Sequence, residues 1–265
     1  MSTVIRKVTP TEQVETKVEK KKLSKKQKLT AILVPVLVVV IIGVLFLGLG
    51  LGGVFNQKAA IYSRNASTVG FYKYYMENGY VEGDYVKMTI TYQEKDYELL
   101  IYMCKEQAPI TTKNFMDYVN EGFYVGTAFH RIVKDTYTFQ GGSYTYETLE
   151  GNNYSYTLKD GTHNPIVGEF ANNKIDNKTP YAYNNISHFA GSISMARTTE
   201  KDSATSGFFF SWNDYPNWDG DYAAFGFIVN TDSIQDLKKI ATEVELNSEQ
   251  PTAPIVITEA EVVTK

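Results

Sequence analysis

The sequence predicts a mainly β domain, a barrel or a sandwich with helices over its ends, behind one transmembrane helix. Residues 29–57 contain no Asp, Glu, Lys or Arg. From residue 85 onward, short apolar or alternating runs recur between polar turns. Two stretches in this part also carry apolar residues at helical spacing. Many short strands with only two helices are typical of β barrels and sandwiches.

The apolar core from Ala31 to Leu51 is long enough to cross a membrane. At about 1.5 Å per residue it spans roughly 30 Å, the thickness of a bilayer core. A buried helix of a soluble protein would rarely run this long without a charge. A cleaved signal peptide would have a shorter apolar run and a clear small-residue cleavage site, which this stretch lacks. We therefore predict an uncleaved signal anchor over residues 29–54.

The distribution of charge predicts how this anchor is oriented. Residues 1–28 contain nine Lys or Arg and three Glu, whereas the whole chain has 26 Lys or Arg and 30 Asp or Glu. The positive-inside rule places the basic tail, 1–28, in the cytoplasm and the domain at 85–265 outside the cell. Residues 55–84 are predicted to form a juxtamembrane linker. The predicted localisation is therefore the cell membrane, and the acidic domain argues against a nucleic-acid partner.

The domain is predicted to begin with a hairpin and a helix. Residues 85–92 alternate between apolar and polar side chains, and residues 97–103 continue the pattern after a polar turn. Two strands that each bury one face have this pattern. Pro109 suits the first turn of the helix that follows, and Gly122 suits its C-terminal cap.

The rest of the domain is predicted to consist of strands and one more helix. Three short apolar runs are separated by loops, at 193–195, 208–212 and 223–229. Thr231 or Asp232 can cap the second helix, because a side-chain oxygen there accepts from a free backbone N–H. Residues 254–263 are predicted to close the domain with a strand.

One stretch places a permanent cation and a neutral amide among apolar residues: Phe129-His130-Arg131-Ile132-Val133, followed by Gln140-Gly141-Gly142. No acid, nucleophile or metal-binding cluster accompanies it, so neither a metal nor a cofactor is predicted. Cys104, the only cysteine, excludes an intrachain disulfide and a Cys-based zinc site. This combination suits a site that binds and polarises an amide. On these residues alone, Arg131 is either catalytic or a structural ion-pair partner.

Several short motifs follow one another along the domain. They are Ala108–Phe115, Asn120–Tyr124, Phe129–Ile132, Gln140–Gly142, Gly168–Phe170, Ser194–Arg197, Ser203–Ser206, Phe208–Phe209 and Asp219–Gly226. In this order they resemble the cyclophilin family of peptidyl-prolyl isomerases over roughly residues 85–263. The resemblance implies a closed eight-stranded antiparallel barrel capped by two helices, which agrees with the elements predicted above.

The resemblance also implies the roles of individual residues. Rotation about a prolyl peptide bond must overcome a barrier of about 18–20 kcal/mol, which amide resonance sets. The family's matching arginine stabilises the twisted state, and this role passes to Arg131. Gln140 matches the glutamine that contacts the substrate backbone and helps to orient the arginine. The family's histidine is no general base, so we expect His130 to be structural, and we expect Phe129 and Phe225 to face the core.

The proline pocket implied by the resemblance has Phe209 as its floor and Ala196 in its wall. This sequence has one residue more between the arginine and the glutamine than the commonest family spacing. The family's pocket pair Phe-Met therefore falls on Tyr137 and Thr138. Moving the gap would place Phe139 there instead.

Three further positions depart from the family. Gly207 stands where a glutamine usually contacts the substrate backbone. Asn217 stands at the position of a pocket-rim tryptophan, with Trp218 next to it. Tyr222 replaces a pocket histidine and can still donate a hydrogen bond. These changes predict an isomerase activity that is reduced or directed at different sequences.

Three functions are compatible with the sequence. The first is a membrane-anchored isomerase that assists the folding of exported proteins at the outer face of the membrane. Its partners would be proline-containing segments of exported or cell-surface proteins, and the membrane itself through residues 29–54. The alternative is a module that binds proline-containing peptides with little or no turnover, which Gly207 and Thr138 favour. A third function, in adhesion or carbohydrate binding, has no specific motif in its support.

Overall fold

The computed structural model describes residues 73, 76–79, 81–149, 154–170, 173, 184 and 186–265. The predicted basic tail, signal anchor and most of the linker lie outside these residues. Among the residues that are described, no helix has both the length and the apolar character needed to span a membrane.

Twelve strands are found in the described part of the chain. They are β1 (Asp84–Tyr92), β2 (Lys95–Met103), β3 (Arg131–Val133), β4 (Thr138–Gly141), β5 (Tyr144–Thr148), β6 (Tyr154–Leu158), β7 (Ser192–Met195), β8 (Phe208–Ser211), β9 (Ala224–Ile228), β10 (Leu246–Asn247), β11 (Gln250–Pro251) and β12 (Val256–Thr264). Eight of them form one antiparallel sheet in the order β12-β1-β2-β9-β7-β8-β4-β3. The mainly β prediction is therefore confirmed, and the predicted strand runs coincide with β1, β2, β7, β8, β9 and β12.

The sheet is a curled half-barrel, and the prediction of a closed barrel was wrong. Its edge strands β3 and β12 do not share a continuous ladder. An isolated bridge joins Ala128 to Val256 just before β3 begins. Along β3 itself the β10–β11 hairpin takes the partner's place, because the Ile132 amide donates to the Glu249 carbonyl oxygen at 2.7 Å. The Ile132 amide is therefore not available to β12.

The first hairpin closes with a two-residue turn. Tyr92 pairs with Lys95, so Gln93 and Glu94 form the turn alone. Their φ angles are +50° and +61°, and positive φ at both central residues matches the right-handed twist of the flanking strands. The predicted four-residue polar turn is thus two residues shorter, because β2 begins earlier than the apolar pattern suggested.

Two helices pack on the sheet as predicted. Helix α1 (Pro109–Asn120) has its proline in the first turn, and Gly122 follows it with φ +68°. The buried carboxylate of Glu169 accepts from the backbone amides of Ile110 and Thr111 at 3.0 and 2.7 Å. These amides have no partner within the helix. Glu169 is therefore the N-terminal cap that the local sequence of α1 does not supply.

Helix α2 (Thr231–Glu243) starts one residue earlier than a cap at Thr231 would place it, and two earlier than a cap at Asp232. Its cap is Asn230, whose side-chain oxygen accepts from the Ser233 amide at 2.6 Å, rather than Thr231 or Asp232. Asparagine is among the best N-terminal caps. The buried side of the helix comprises Ser233, Ile234, Leu237, Ile240 and Ala241.

Aromatic rings fill the core between the sheet and α1. Phe208 and Phe210 on β8 are fully buried, and Phe208 meets Phe115 of α1 edge to face, with 5.3 Å between the ring centroids. Phe129 and Phe225 are also fully buried, which confirms their predicted place in the core. Because side chains alternate along a strand, the two core phenylalanines of β8 force the residue between them onto the other face.

The β5–β6 ribbon covers one side of His130. The ring centroid of Tyr144 lies 4.2 Å from that of His130, and Tyr156 lies 6.5 Å away. His130 Nδ1 is buried. Burial is the largest cause that lowers the pKa of His130, to about 4; the nearby charge of Arg131 adds to it, and the Ala128 backbone opposes it. His130 is thus a neutral packing residue at physiological pH.

We expect His130 to make stability depend on pH between about 6.5 and 4. In this range the unfolded chain binds a proton at residue 130 and the folded chain does not, so the free energy of unfolding falls as pH falls. The loss is at most about 1.4 kcal/mol per pH unit. Urea unfolding at pH 7.5 and 5 should show a larger loss for wild type than for His130→Phe, which keeps the ring. Equal losses would contradict this account.

We expect Gly142→Ala to destabilise the domain more than Gly122→Ala. Both glycines have positive φ, +82° and +68°, which costs an alanine about 1–2 kcal/mol. A Cβ at Gly142 would also lie 2.5 Å from the Phe208 ring, whereas nothing lies within 4 Å of one at Gly122. Overpacking adds about 1–3 kcal/mol. Urea unfolding of both variants measures the difference, and equal losses would refute the crowding at Gly142.

Candidate functional site

One row of side chains crosses three strands on the outer face of the sheet. Arg131 on β3 lies directly opposite Gln140 on β4, and Gln140 lies opposite Phe209 on β8. Residues directly opposite each other in antiparallel strands point to the same face. The register therefore brings together a cation, an amide and an aromatic ring that come from distant parts of the chain.

This row opens into a cleft of about 190 Å³. Seven of the predicted site residues line it: Arg131, Thr138, Gln140, Ala196, Phe209, Trp218 and Tyr222. Three lining residues were not predicted: Val133, Thr136 and Arg197. Val133 shares the face of Arg131 because it lies two residues further along the same strand. The alternation of side chains along β3 could have predicted Val133 as a lining residue.

Phe209 is the floor of the cleft, and only 3% of it is exposed. The His188 ring is stacked near it with 5.9 Å between centroids, and the Tyr222 ring meets it edge on at 5.6 Å. Asp219 accepts from the His188 backbone amide at 2.7 Å and contacts His188 Nδ1 at 2.9 Å. Burial alone would raise the pKa of Asp219, but these hydrogen bonds outweigh it and the pKa is lowered. This pair holds the loop that carries Trp218 against the floor.

Arg131 is both an ion-pair partner and a lining residue of the cleft. Its Nε donates to Glu249 Oε2 at 2.6 Å, and its Nη1 donates to Gln140 Oε1 at 3.3 Å. Its side chain is 46% exposed. The two roles that the sequence left open are therefore not exclusive. Glu249 was missed because 118 residues separate it from Arg131 and no local motif marks it.

A short 3-10 turn, Lys134–Thr136, lies between Arg131 and Gln140, in the segment where the resemblance implied one extra residue. The turn ends at Tyr137, whose φ is +53°, and this directs the Tyr137 ring towards Trp212 and Tyr215, at 6.0 and 6.1 Å between centroids. Thr136 lines the cleft and Tyr137 does not. The Thr136 and Thr138 hydroxyls lie 2.9 Å apart, so this wall is polar.

Three more predicted residues lie off the cleft lining. Phe139 is fully buried and packs on Phe129, with 4.3 Å between ring centroids, so moving the sequence gap does not bring it to the pocket. Gly207 is buried next to Ala196, where an added Cβ would be 2.7 Å from the Ser143 hydroxyl and 3.5 Å from the Ala196 Cβ. Asn217 is exposed in the short 3-10 turn Pro216–Trp218, which turns the next residue, Trp218, to the cleft instead.

Arg197 lies beside the cleft and is fixed by the backbone. Its Nε and Nη2 both donate to the Asp221 carbonyl oxygen, at 3.1 and 2.8 Å. Its guanidinium carbon also lies 4.6 Å from the centroid of the Tyr222 ring, a cation–π distance. It therefore adds a second permanent positive charge to the lining.

The cleft offers hydrogen-bond donors and an aromatic floor rather than a nucleophile. Cys104 is buried, and burial raises the pKa of its thiol. No three His, Cys, Asp or Glu of the described ranges lie close enough together to hold a metal ion. Such a site can seat an apolar ring on Phe209 and present N–H groups from Arg131 to an adjoining amide.

Most of this domain is similar in sequence to known proteins. The family model described as cyclophilin type peptidyl-prolyl cis-trans isomerase/CLD matches residues 85–262. Peptidyl-prolyl cis-trans isomerase A of Dickeya dadantii is 37% identical over 167 residues, which are 60% of this chain and 76% of the relative. Peptidyl-prolyl cis-trans isomerase B of Escherichia coli is 31% identical over 162 residues, 58% of this chain and 85% of the relative.

A solved structure also matches. It is a cyclophilin type peptidyl-prolyl cis-trans isomerase of Cryptosporidium parvum in the presence of the dipeptide Ala-Pro, with a TM-score of 0.48 and 20% identity. The match covers 68% of this chain and 99% of that one. The family model covers well over half of the sequence, and the named relatives are isomerases. The chain therefore belongs to the cyclophilin-type peptidyl-prolyl cis-trans isomerases and shares their enzymatic activity.

Proposed function

We propose that this isomerase uses Arg131 as the donor to the twisting amide and Gln140 as the contact that holds the substrate backbone. The observation that carries this assignment is the register, which sets Arg131, Gln140 and Phe209 side by side on the cleft face. A proline ring on Phe209 would bring its own peptide nitrogen next to the guanidinium.

Arg131 would accelerate isomerisation by stabilising the twisted state of the prolyl peptide bond. When the peptide bond twists, its nitrogen loses conjugation and becomes pyramidal and more basic. A donor fixed at that nitrogen stabilises the twisted state more than the planar one, and only such differential binding accelerates the reaction. Arginine suits the task because it stays charged and presents several N–H groups in one plane.

We further propose that the enzyme works at the outer face of the membrane on exported or cell-surface proteins. The charge-free stretch at 29–57 and the basic tail before it support an anchored domain outside the cell. Prolyl isomerisation takes tens to hundreds of seconds uncatalysed and can limit folding. Chains that fold after export would therefore be substrates through their proline-containing segments.

A second candidate is a binding module with little turnover. The polar wall of Thr136 and Thr138 favours it, since a proline ring gains less from hydroxyl groups than from an apolar side chain. Gly207 favours it too, because it brings no side chain to the substrate backbone. Turnover by the purified chain separates the two candidates.

We expect Arg131→Ala to lower kcat/KM for X-Pro peptides about a hundredfold, because removal of one fixed donor to a transition state costs about that much. Arg131→Lys keeps the charge without the planar donor set and should lose about tenfold. NMR exchange spectroscopy on the purified full-length chain measures these rates. The control is Lys134→Ala, which removes an exposed cation from the same edge, bonded to the Thr242 carbonyl, and should leave the rate unchanged.

The same experiment can contradict the assignment in two ways. Wild-type turnover that survives Arg131→Ala would remove Arg131 from the mechanism. Peptide binding without measurable wild-type turnover would favour the binding module.

We expect the domain to be accessible from outside intact cells that express the full chain. In a Cys104→Ala background, a membrane-impermeant thiol reagent should label Lys239→Cys, which lies at an exposed position of α2. The matched variant Ser24→Cys, in the basic tail, should be labelled only after the cells are lysed. The reverse labelling pattern would refute the proposed orientation.

A further inference from the structure

The Arg131 guanidinium is held from outside the cleft by a turn that is remote in sequence. Glu249 lies in the two-residue connection between β10 and β11, beside Ser248 with φ +60°. Its backbone oxygen accepts from the Ile132 amide at 2.7 Å, and its carboxylate accepts from Arg131 Nε at 2.6 Å. One residue therefore contacts both the backbone of β3 and the side chain next to that contact.

Two contacts at different edges of the guanidinium fix its plane. Glu249 takes Nε on one side and Gln140 takes Nη1 on the other. A guanidinium has five N–H groups, so three remain for a ligand in the cleft. A single contact would leave the flexible arginine side chain free to turn about it. With both contacts the guanidinium cannot turn freely, and the directions of its remaining N–H groups are fixed.

We infer that Glu249 is a positioning residue for isomerisation, which acts through Arg131 and does not itself touch the substrate. This inference rests on the proposed role of Arg131. The gain from a fixed donor depends steeply on its direction, and displacements of about 1 Å can cost a hundredfold in rate. Glu249 raises the rate by keeping Arg131 aimed at the position of the prolyl nitrogen.

The solvent exposure of the Arg131–Glu249 ion pair distinguishes a positioning role of Glu249 from a role in stability. The side chains of Arg131 and Glu249 are 46% and 45% exposed. Exposed ion pairs contribute little to the free energy of unfolding, because water screens them and ordering two long side chains has an entropic cost. The Glu249 carbonyl that pairs with Ile132 belongs to the backbone and survives any substitution. Removal of the carboxylate should therefore change the rate and spare the fold.

The test is a graded series at residue 249 in the full-length chain, assayed by NMR exchange on an X-Pro peptide. Glu249→Ala should lower kcat about tenfold with little change in KM, because orientation is lost while the cleft is intact. Glu249→Gln keeps an oxygen that can accept from Nε and should recover most of the rate. The control is Glu245→Gln, a like change of charge on the same side of the molecule, which should have no effect.

A double-mutant cycle and a spectrum make the test specific to Arg131. In an Arg131→Ala background, Glu249→Ala should lower the residual rate no further. The Nε–H resonance of Arg131 should shift in Glu249→Ala and stay near its wild-type position in Glu249→Gln. If Glu249 had a purely structural role, its substitution would lower the rate equally with and without Arg131. The Arg131 Nε–H resonance would then not distinguish Glu249→Ala from Glu249→Gln.

Several results would overturn the inference. Glu249→Ala could keep the wild-type rate, or exceed it because the carboxylate had been weakening the charge of Arg131. The loss could persist unchanged when Arg131 is already alanine. If Glu249→Ala does not fold, Glu249→Gln carries the test, and a Nε–H resonance displaced without loss of rate then counts against positioning. Failure of the proposed role of Arg131 itself is recognised separately, by an Arg131→Ala variant that is as active as wild type.

Discussion

The register of β8 against β4 is the constraint on which the rest of the site depends. Phe208 and Phe210 are fully buried against the rings of Phe129 and α1, so Phe209 between them must face the cleft. A slip by one residue would turn two aromatic rings out of the core and bury the floor of the cleft. The hydrophobic core thus fixes the alignment of Arg131, Gln140 and Phe209, although none of these three belongs to it.

The strands supply the floor and the donors, whereas loops supply the far wall. Trp218 and Tyr222 come from the connection between β8 and β9, which contains the 3-10 turn Pro216–Trp218. This connection is held by the pair of Asp219 with buried His188. Because the His188 ring also stacks near Phe209, the same contact joins the loop to the floor. The hydrogen bonds of Asp219 therefore contribute to the shape of the cleft alongside apolar packing.

The sequence sufficed for the elements whose signals are local. Strand alternation, Pro109 at the start of α1 and the core positions of Phe129 and Phe225 were all confirmed. What failed depends on pairs that are distant in the chain. The cap of α1 is Glu169, nearly sixty residues away, and the partner of Arg131 is Glu249. The sequence predicted Tyr137 in the cleft, but Thr136 lines it instead. The cause is the left-handed backbone conformation of Tyr137 at the end of a 3-10 turn, which the local pattern does not show.

The break in the barrel at β3 and the orientation of the Arg131 guanidinium have a common cause. A strand edge with unpaired amides invites pairing with other chains and is normally covered. Here the β10–β11 turn covers β3 by accepting from the Ile132 amide, and so prevents β12 from completing the barrel along that strand. Since Arg131 adjoins Ile132 on β3, the covering residue comes within reach of its guanidinium. Because the β10–β11 turn and not β12 pairs with β3 at Ile132, the Glu249 carboxylate lies at the edge of the cleft.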